Sequence, residues 1–129
     1  MRLLLDTHIF IWACSQPQSL SAAQREAISS ADNKILISAA SAWEIAIKHA
    51  LGRLDFPVDR FGEFVAAMGF EPLSITPMHG ISAGSLPRHH EDPFDRLLIA
   101  QAQVEDLTIV TVDRKFALYQ APLFAMASG

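Results

Sequence analysis

Three strand-length apolar runs constrain this chain more than anything else in it. They are Leu3-Leu4-Leu5, Ile35-Leu36-Ile37 and the β-branched segment from Thr108 to Val112. Runs this short, apolar at consecutive positions, suit strands covered on both faces. The first stops on Asp6 and the third on Asp113. An acid at a strand-to-helix junction lies at the carboxyl edge of a sheet, where open α/β sheets build their ligand sites.

Between these runs the pattern is helical. Ile9 to Ala13 follows the first strand as a helix, and Gln16-Pro17-Gln18 breaks it. Ser21-Ala-Ala-Gln24 is a capping box opening a helix to about Ser30. Ser38 and Ser41 offer N-caps for a helix through Trp43, Ile47 and Leu51, with Gly52 as its stop. Asp59 can cap a helix that Gly69 ends. Phe70 to Ile75 alternates like a strand, but Pro72 cannot donate to a ladder and sends it to an edge. Thr76-Pro77 starts a weaker helix ending by Pro87, and Arg88 to Asp92 reads as a polar loop. Asp92-Pro93 begins the strongest helix in the chain. A helix from about Arg114 to Tyr119 and a short strand at Ala121 to Phe124 complete the pattern.

Strands alternate with helices across connections too long for hairpins. The expectation is one α/β domain over residues 1–129: a three-layer α/β/α sandwich around a parallel sheet of four to five strands. With the Pro72 strand at one edge, the order is 3-2-1-4-5, which sets Asp6 and Asp113 side by side at the switch point.

Composition narrows the setting. The apolar runs are too short to span a bilayer, and Arg2 followed by a strand-length run ending in Asp6 is not a secretory signal. The single cysteine, Cys14, excludes an internal disulfide and a thiolate zinc site, and fits a reducing, cytoplasmic setting. Half the residues are hydrophobic, rich for so small a domain, so apolar surface is expected to be covered by a partner. A net charge of −4 argues against a broad basic surface, unless several acids are gathered around a cation.

Four acids stand at strand ends or first helical turns: Asp6, Glu44, Asp95 and Asp113. Each has an ordinary reading. Asp6 and Asp113 can cap helices; Glu44 can complete a capping box with Ser41 and pair with Lys48; Asp95 can complement the helix dipole behind the cap Asp92. Together they are harder to dismiss. Many such positions share one side of a parallel sheet, and carboxylates converging there repel by on the order of several kcal/mol unless protonated or metal-bound. Oxygen donors of this kind suit Mg²⁺ or Mn²⁺ and hydrolysis at phosphorus.

Longer stretches carry a resemblance. Leu4-Leu5-Asp6-Thr7-His8, Ser38 to Lys48 with Leu51-Gly52-Arg53-Leu54, Asp92-Pro93-Phe94-Asp95-Arg96 to Ala102, and Thr111-Val112-Asp113 together resemble a PIN-domain ribonuclease, closest to the VapC-type toxins of toxin–antitoxin pairs. The resemblance implies a Mg²⁺- or Mn²⁺-dependent endoribonuclease acting on RNA, a homodimer, and inhibition by a cognate antitoxin. It maps the acidic quartet onto Asp6, Glu44, Asp95 and Asp113, with Asp6 and Asp95 as direct ligands and Thr111 as a small polar neighbour. In the loop His89-His90-Glu91-Asp92, Glu91 departs from the basic residue common in similar toxins. The extra acid would weaken the approach of RNA or attract basic side chains of an antitoxin.

Thr111, Arg96 and Arg114 are the candidate substrate contacts, although Arg96 suits an ion pair and Arg114, with Lys115, a solvated helix face. His89 and His90 are expected in an exposed loop, His8 near the metal without ligating it, and Phe10, Trp12 and Trp43 in the core or a dimer interface. The opposing readings are a non-catalytic PIN-like binding module whose acids are caps and ion pairs, and a related nuclease acting on DNA.

Overall fold

The structure, a computed structural model, describes residues 1–124. Strand β1 (Arg2–Leu5) lies between β2 (Lys34–Ser38) and β4 (Thr108–Val110), and β3 (Glu71–Leu73) pairs with the far side of β2. All pairings are parallel, with Leu5 level with both Ile37 and Val110. The order β3-β2-β1-β4 agrees with the expected arrangement, and the Pro72 strand is at the edge.

The expected fifth strand is reduced to one parallel bridge, Ile109 to Leu123, on the outer side of β4. The Ile109 N–H donates to Pro122 O at 2.9 Å, and Phe124 N–H donates to Ile109 O at 2.8 Å. Pro122 has no N–H to extend the ladder.

Strand alternation sorts the core into two halves. Leu3, Leu5, Ile35, Ile37 and Val110 face one side, where Phe10 of α1 (Thr7–Ser15), Ile28 of α2 (Ala22–Ser29), Ile45 of α3 (Ala39–Ala50) and Val65 of α4 (Phe61–Ala67) cover them. Leu4, Leu36 and Ile109 face the other, under Leu98, Ile99 and Ala102 of α6 (Pro93–Glu105). Burying both faces of β1, whose three leucines are all 0% exposed, requires the three layers.

Helix starts follow the capping residues with two differences. Asp6, Ser21, Thr76 and Asp92 cap α1, α2, α5 (Pro77–Ser85) and α6. Ser38 alone caps α3, so Ser41 lies inside the helix and Glu44 falls in its second turn rather than closing a capping box. Asp59 lies in a 3-10 turn, Val58–Arg60, and α4 starts with no side-chain cap. Strand β4 also ends two residues earlier than expected. The Thr111 hydroxyl accepts the Asp113 N–H at 3.0 Å, which turns the chain out of the ladder, and Arg114–Leu118 is a 3-10 turn.

Helix α6 ends on Asp106 in the left-handed region, φ 57°, the one non-glycine residue there among the described residues. Its side chain is exposed, so a substitution tests backbone strain alone. Asp106→Gly is expected to raise stability by about 0.5 kcal/mol, and Asp106→Val to lower it by about 1–2 kcal/mol. Urea unfolding midpoints measure both.

Candidate metal centre

The parallel register brings β1 and β4 to the same edge, and the loops beyond them carry two of the acids. Asp6 follows β1 directly, its N–H donating to Val110 O at 3.0 Å. Its Oδ1 accepts the Ile9 N–H at 2.8 Å, so it does cap α1, and its Oδ2 accepts the Thr111 hydroxyl. Since Thr111 also takes the Asp113 amide, one hydroxyl ties both acids to the end of β4.

Glu44 approaches from α3. Its Oε1 accepts the Thr7 hydroxyl at 2.6 Å, with the Ser41 hydroxyl 3.0 Å from Thr7, and its Oε2 lies 2.5 Å from Lys48 Nζ. Asp95 comes from the first turn of α6. Asp92 Oδ1 accepts the Phe94 and Asp95 amides at 2.9 and 3.1 Å, which frees the Asp95 carboxylate from capping. Asp113 Oδ1 accepts the Lys115 N–H at 2.9 Å. All four acids, with Thr7, His8, Lys48, His90, Asp92 and Val112, line one cavity of about 230 Å³. A larger cavity of about 510 Å³, between α4 and the β2–β3 edge, is apolar and contains none of them.

The electrostatics are those of crowded, poorly hydrated carboxylates. Asp6 is 5% exposed and Glu44 3%. Burial raises the Asp6 carboxyl above its usual range, against the lowering effect of its bonds to Thr111 and Ile9. Asp95 is pushed up to about 7, first by burial and then by Asp92 and Glu44. Burial acts to lower Lys48, but the hydrogen bond and charge of Glu44 outweigh it and the ammonium is held above its usual value. Carboxyls so reluctant to ionise together are the donor set that a divalent cation stabilises. Among the described residues, Asp95 Oδ1 is the one carboxylate oxygen of the quartet with no hydrogen-bond or ion-pair partner.

The residues expected to touch substrate are placed differently from one another. Thr111 is 2% exposed and spent on Asp6 and Asp113. Arg96 donates to four backbone carbonyls, of Ala83, Leu86, Pro87 and His90, at 2.8–3.3 Å. Arg114 is exposed beside Asp113.

His90 is the main departure from expectation. It is buried, and its Nε2 lies 2.8 Å from Asp95 Oδ2 and 3.2 Å from Asp113 Oδ2. A polar five-residue stretch between helices gave no sign of this, because the contacts come from elements far apart in the chain. Lys48 and Thr7 also belong to the site; the i,i+4 spacing to Glu44 and adjacency to Asp6 were their only signals. His8 lines the cavity and is exposed. Phe10 is in the core, Trp12 is half-buried, and Trp43 is 59% exposed, edge-on to Phe94 with ring centroids 5.1 Å apart.

Comparison with known proteins assigns the family and the fold. The family model described as PIN domain matches residues 3–121. Ribonuclease VapC22 of Mycobacterium tuberculosis (strain ATCC 25618 / H37Rv) is 32% identical over 127 residues, covering 93% of each chain. Among solved structures, a chain in the crystal structure of VapBC2 from Rickettsia felis, bound to a DNA fragment from their promoter, superposes with a TM-score of 0.69. That match has 18% sequence identity and covers 95% of this chain and 96% of that one, so it speaks for the fold.

The Asp95 carboxyl shifts from an ordinary value of 3.8 to about 7 on folding, so between those values the folded chain binds more protons than the unfolded one. Its contribution to stability is therefore greatest below about pH 4 and falls as the pH rises towards 7. In metal-free buffer the melting temperature should drop across this window, and Asp95→Asn should flatten the drop. At pH 8 the variant should be more stable than wild type by on the order of 1–2 kcal/mol. Mg²⁺ or Mn²⁺ should raise the wild-type midpoint with concentration.

Proposed function

The chain belongs to the PIN-domain family, and on that premise we propose that it is a divalent-metal-dependent endoribonuclease of the VapC type. One observation carries the reading: four carboxylates from four separate elements line a single small cavity, where burial raises two of them. The likeness to a named ribonuclease over 93% of each chain supports RNA as the substrate.

Asp6 and Asp95 are proposed as the direct ligands of Mg²⁺ or Mn²⁺, with Glu44 and Asp113 completing the shell or orienting water. The cation supplies Lewis acidity at the phosphoryl oxygens and a nucleophile from water at neutral pH. The chain's own residues prepare the site. Thr111 and the Ile9 amide hold Asp6 in one orientation, and Thr7 and Lys48 hold Glu44. Lys48 also balances part of the negative charge that an RNA phosphate would meet. Arg114 and Lys115, both exposed beside Asp113, are placed for backbone phosphates.

Protein partners are part of the proposal. Exposed Trp43, Met78 and Ile81, each more than half accessible, are apolar surface suited to burial in a homodimer or against a cognate antitoxin. The Rickettsia felis match is itself described as VapBC2, which supports an antitoxin partner. Among the described residues no helix is long and apolar enough to cross a membrane, and the cytoplasm is the proposed setting.

The test is cleavage of a labelled RNA and its DNA counterpart. RNA should be cut in Mg²⁺ or Mn²⁺ and spared in EDTA, with Asp6→Asn slower by about 100-fold or more while still folded. Cleavage indifferent to EDTA removes the metal mechanism, and cutting of DNA alone replaces the substrate. A chain that takes up metal but cuts neither is a binding module.

A further inference from the structure

We propose that His90 is a positioning residue that sets the spacing of Asp95 and Asp113 for the cation, a role that rests on the metal reading above. The two acids have no common scaffold: Asp95 is on α6 and Asp113 on the turn beyond β4. Like charges on separate elements push apart. Between them lies one ring nitrogen, His90 Nε2, hydrogen-bonded to Asp113 Oδ2 at 3.2 Å and 2.8 Å from Asp95 Oδ2.

The tautomer decides what that nitrogen can do. Nδ1 faces the Asp92 N–H at 3.4 Å and accepts from it, so a neutral ring carries its proton on Nε2. Nε2 is then a donor to Asp113 Oδ2, in close contact with Asp95 Oδ2, and has no lone pair for a metal ion. The ring also engages only one oxygen of each acid. Asp95 Oδ1 remains without a partner among the described residues. Hydrogen bonds of this kind orient ligating carboxylates and tune the ion they hold.

The ring is itself held firmly. The His90 N–H donates to Tyr119 Oη at 2.8 Å, and the Tyr119 hydroxyl donates to Pro87 O at 2.9 Å. Arg96 Nη1 donates to His90 O at 3.3 Å while Nη2 holds Ala83 O and Leu86 O. The imidazole lies edge-on to buried Phe116, centroids 6.1 Å apart. A side chain fixed at backbone and ring can impose a distance on two acids that would otherwise separate.

The experiment is calorimetric titration of Mn²⁺ into the full chain at pH 8, for wild type, His90→Ala and His90→Gln, with melting temperatures in EDTA as the folding control. His90→Ala is expected to bind Mn²⁺ about 10- to 100-fold more weakly. His90→Gln, whose amide can donate from nearly the place of Nε2, is expected to recover most of the loss. Equal affinity in wild type and His90→Ala overturns the proposal. Tighter binding in His90→Ala overturns it too, because the ring would then be standing in the ion's place. An equal loss in both variants points to packing or direct ligation instead, and also overturns it. A wild-type chain that binds no Mn²⁺ overturns the cation reading itself, a result distinct from the other three.

Discussion

Mutual repulsion among carboxylates that the fold forces into one small cavity is the constraint on which the rest of the site depends. Parallel pairing fixes where β1 and β4 end, and the buried leucines of β1 leave no freedom to shift that register. That register keeps the ends of β1 and β4, and with them Asp6 and Asp113, close together. Their environment therefore carries the compensation: hydroxyls from Thr7 and Thr111, the ammonium of Lys48, the ring of His90, and the amides of Ile9 and Lys115.

That compensation is unevenly distributed. Asp6 and Glu44, the two most buried acids, have a donor on each oxygen. Asp95 has one oxygen without a donor, and its carboxyl is raised to about 7. The acid with the least internal support is thus the one that gains most from an external positive charge. A site fully satisfied by its own hydrogen bonds would have little affinity left for an ion.

The layers, the strand order and the four acids were legible in the sequence because each has a local signature. Strand-length apolar runs, Pro72 within a strand pattern and Asp92-Pro93 ahead of a helix are all read within a few residues. What escaped depends on contacts between distant segments. His90 sits in a stretch that looks like any polar loop, yet two elements enclose it, the 3-10 turn flanked by Asp113 and Tyr119 and the helix carrying Arg96. Ser41 and Glu44 fit a capping box, but Ser38 starts the helix one turn earlier, which puts Glu44 in the second turn, beside Thr7. The early end of β4 has the same origin: Thr111 is drawn out of the ladder by the partners it finds in Asp6 and Asp113.

Arg96 follows Asp95 directly near the start of α6. An arginine next to an active-site acid in a nuclease suggests a clamp on phosphate, and its removal is expected to impair the enzyme. Here its guanidinium holds four carbonyls between Ala83 and His90, and each would lose a charge-assisted donor on substitution. The loop and the helix bearing Asp95 are in effect riveted together at this point. A kinetic defect in an Arg96 variant therefore has the signature of a misplaced loop. Scanning mutagenesis by itself would score a structural rivet as a substrate contact.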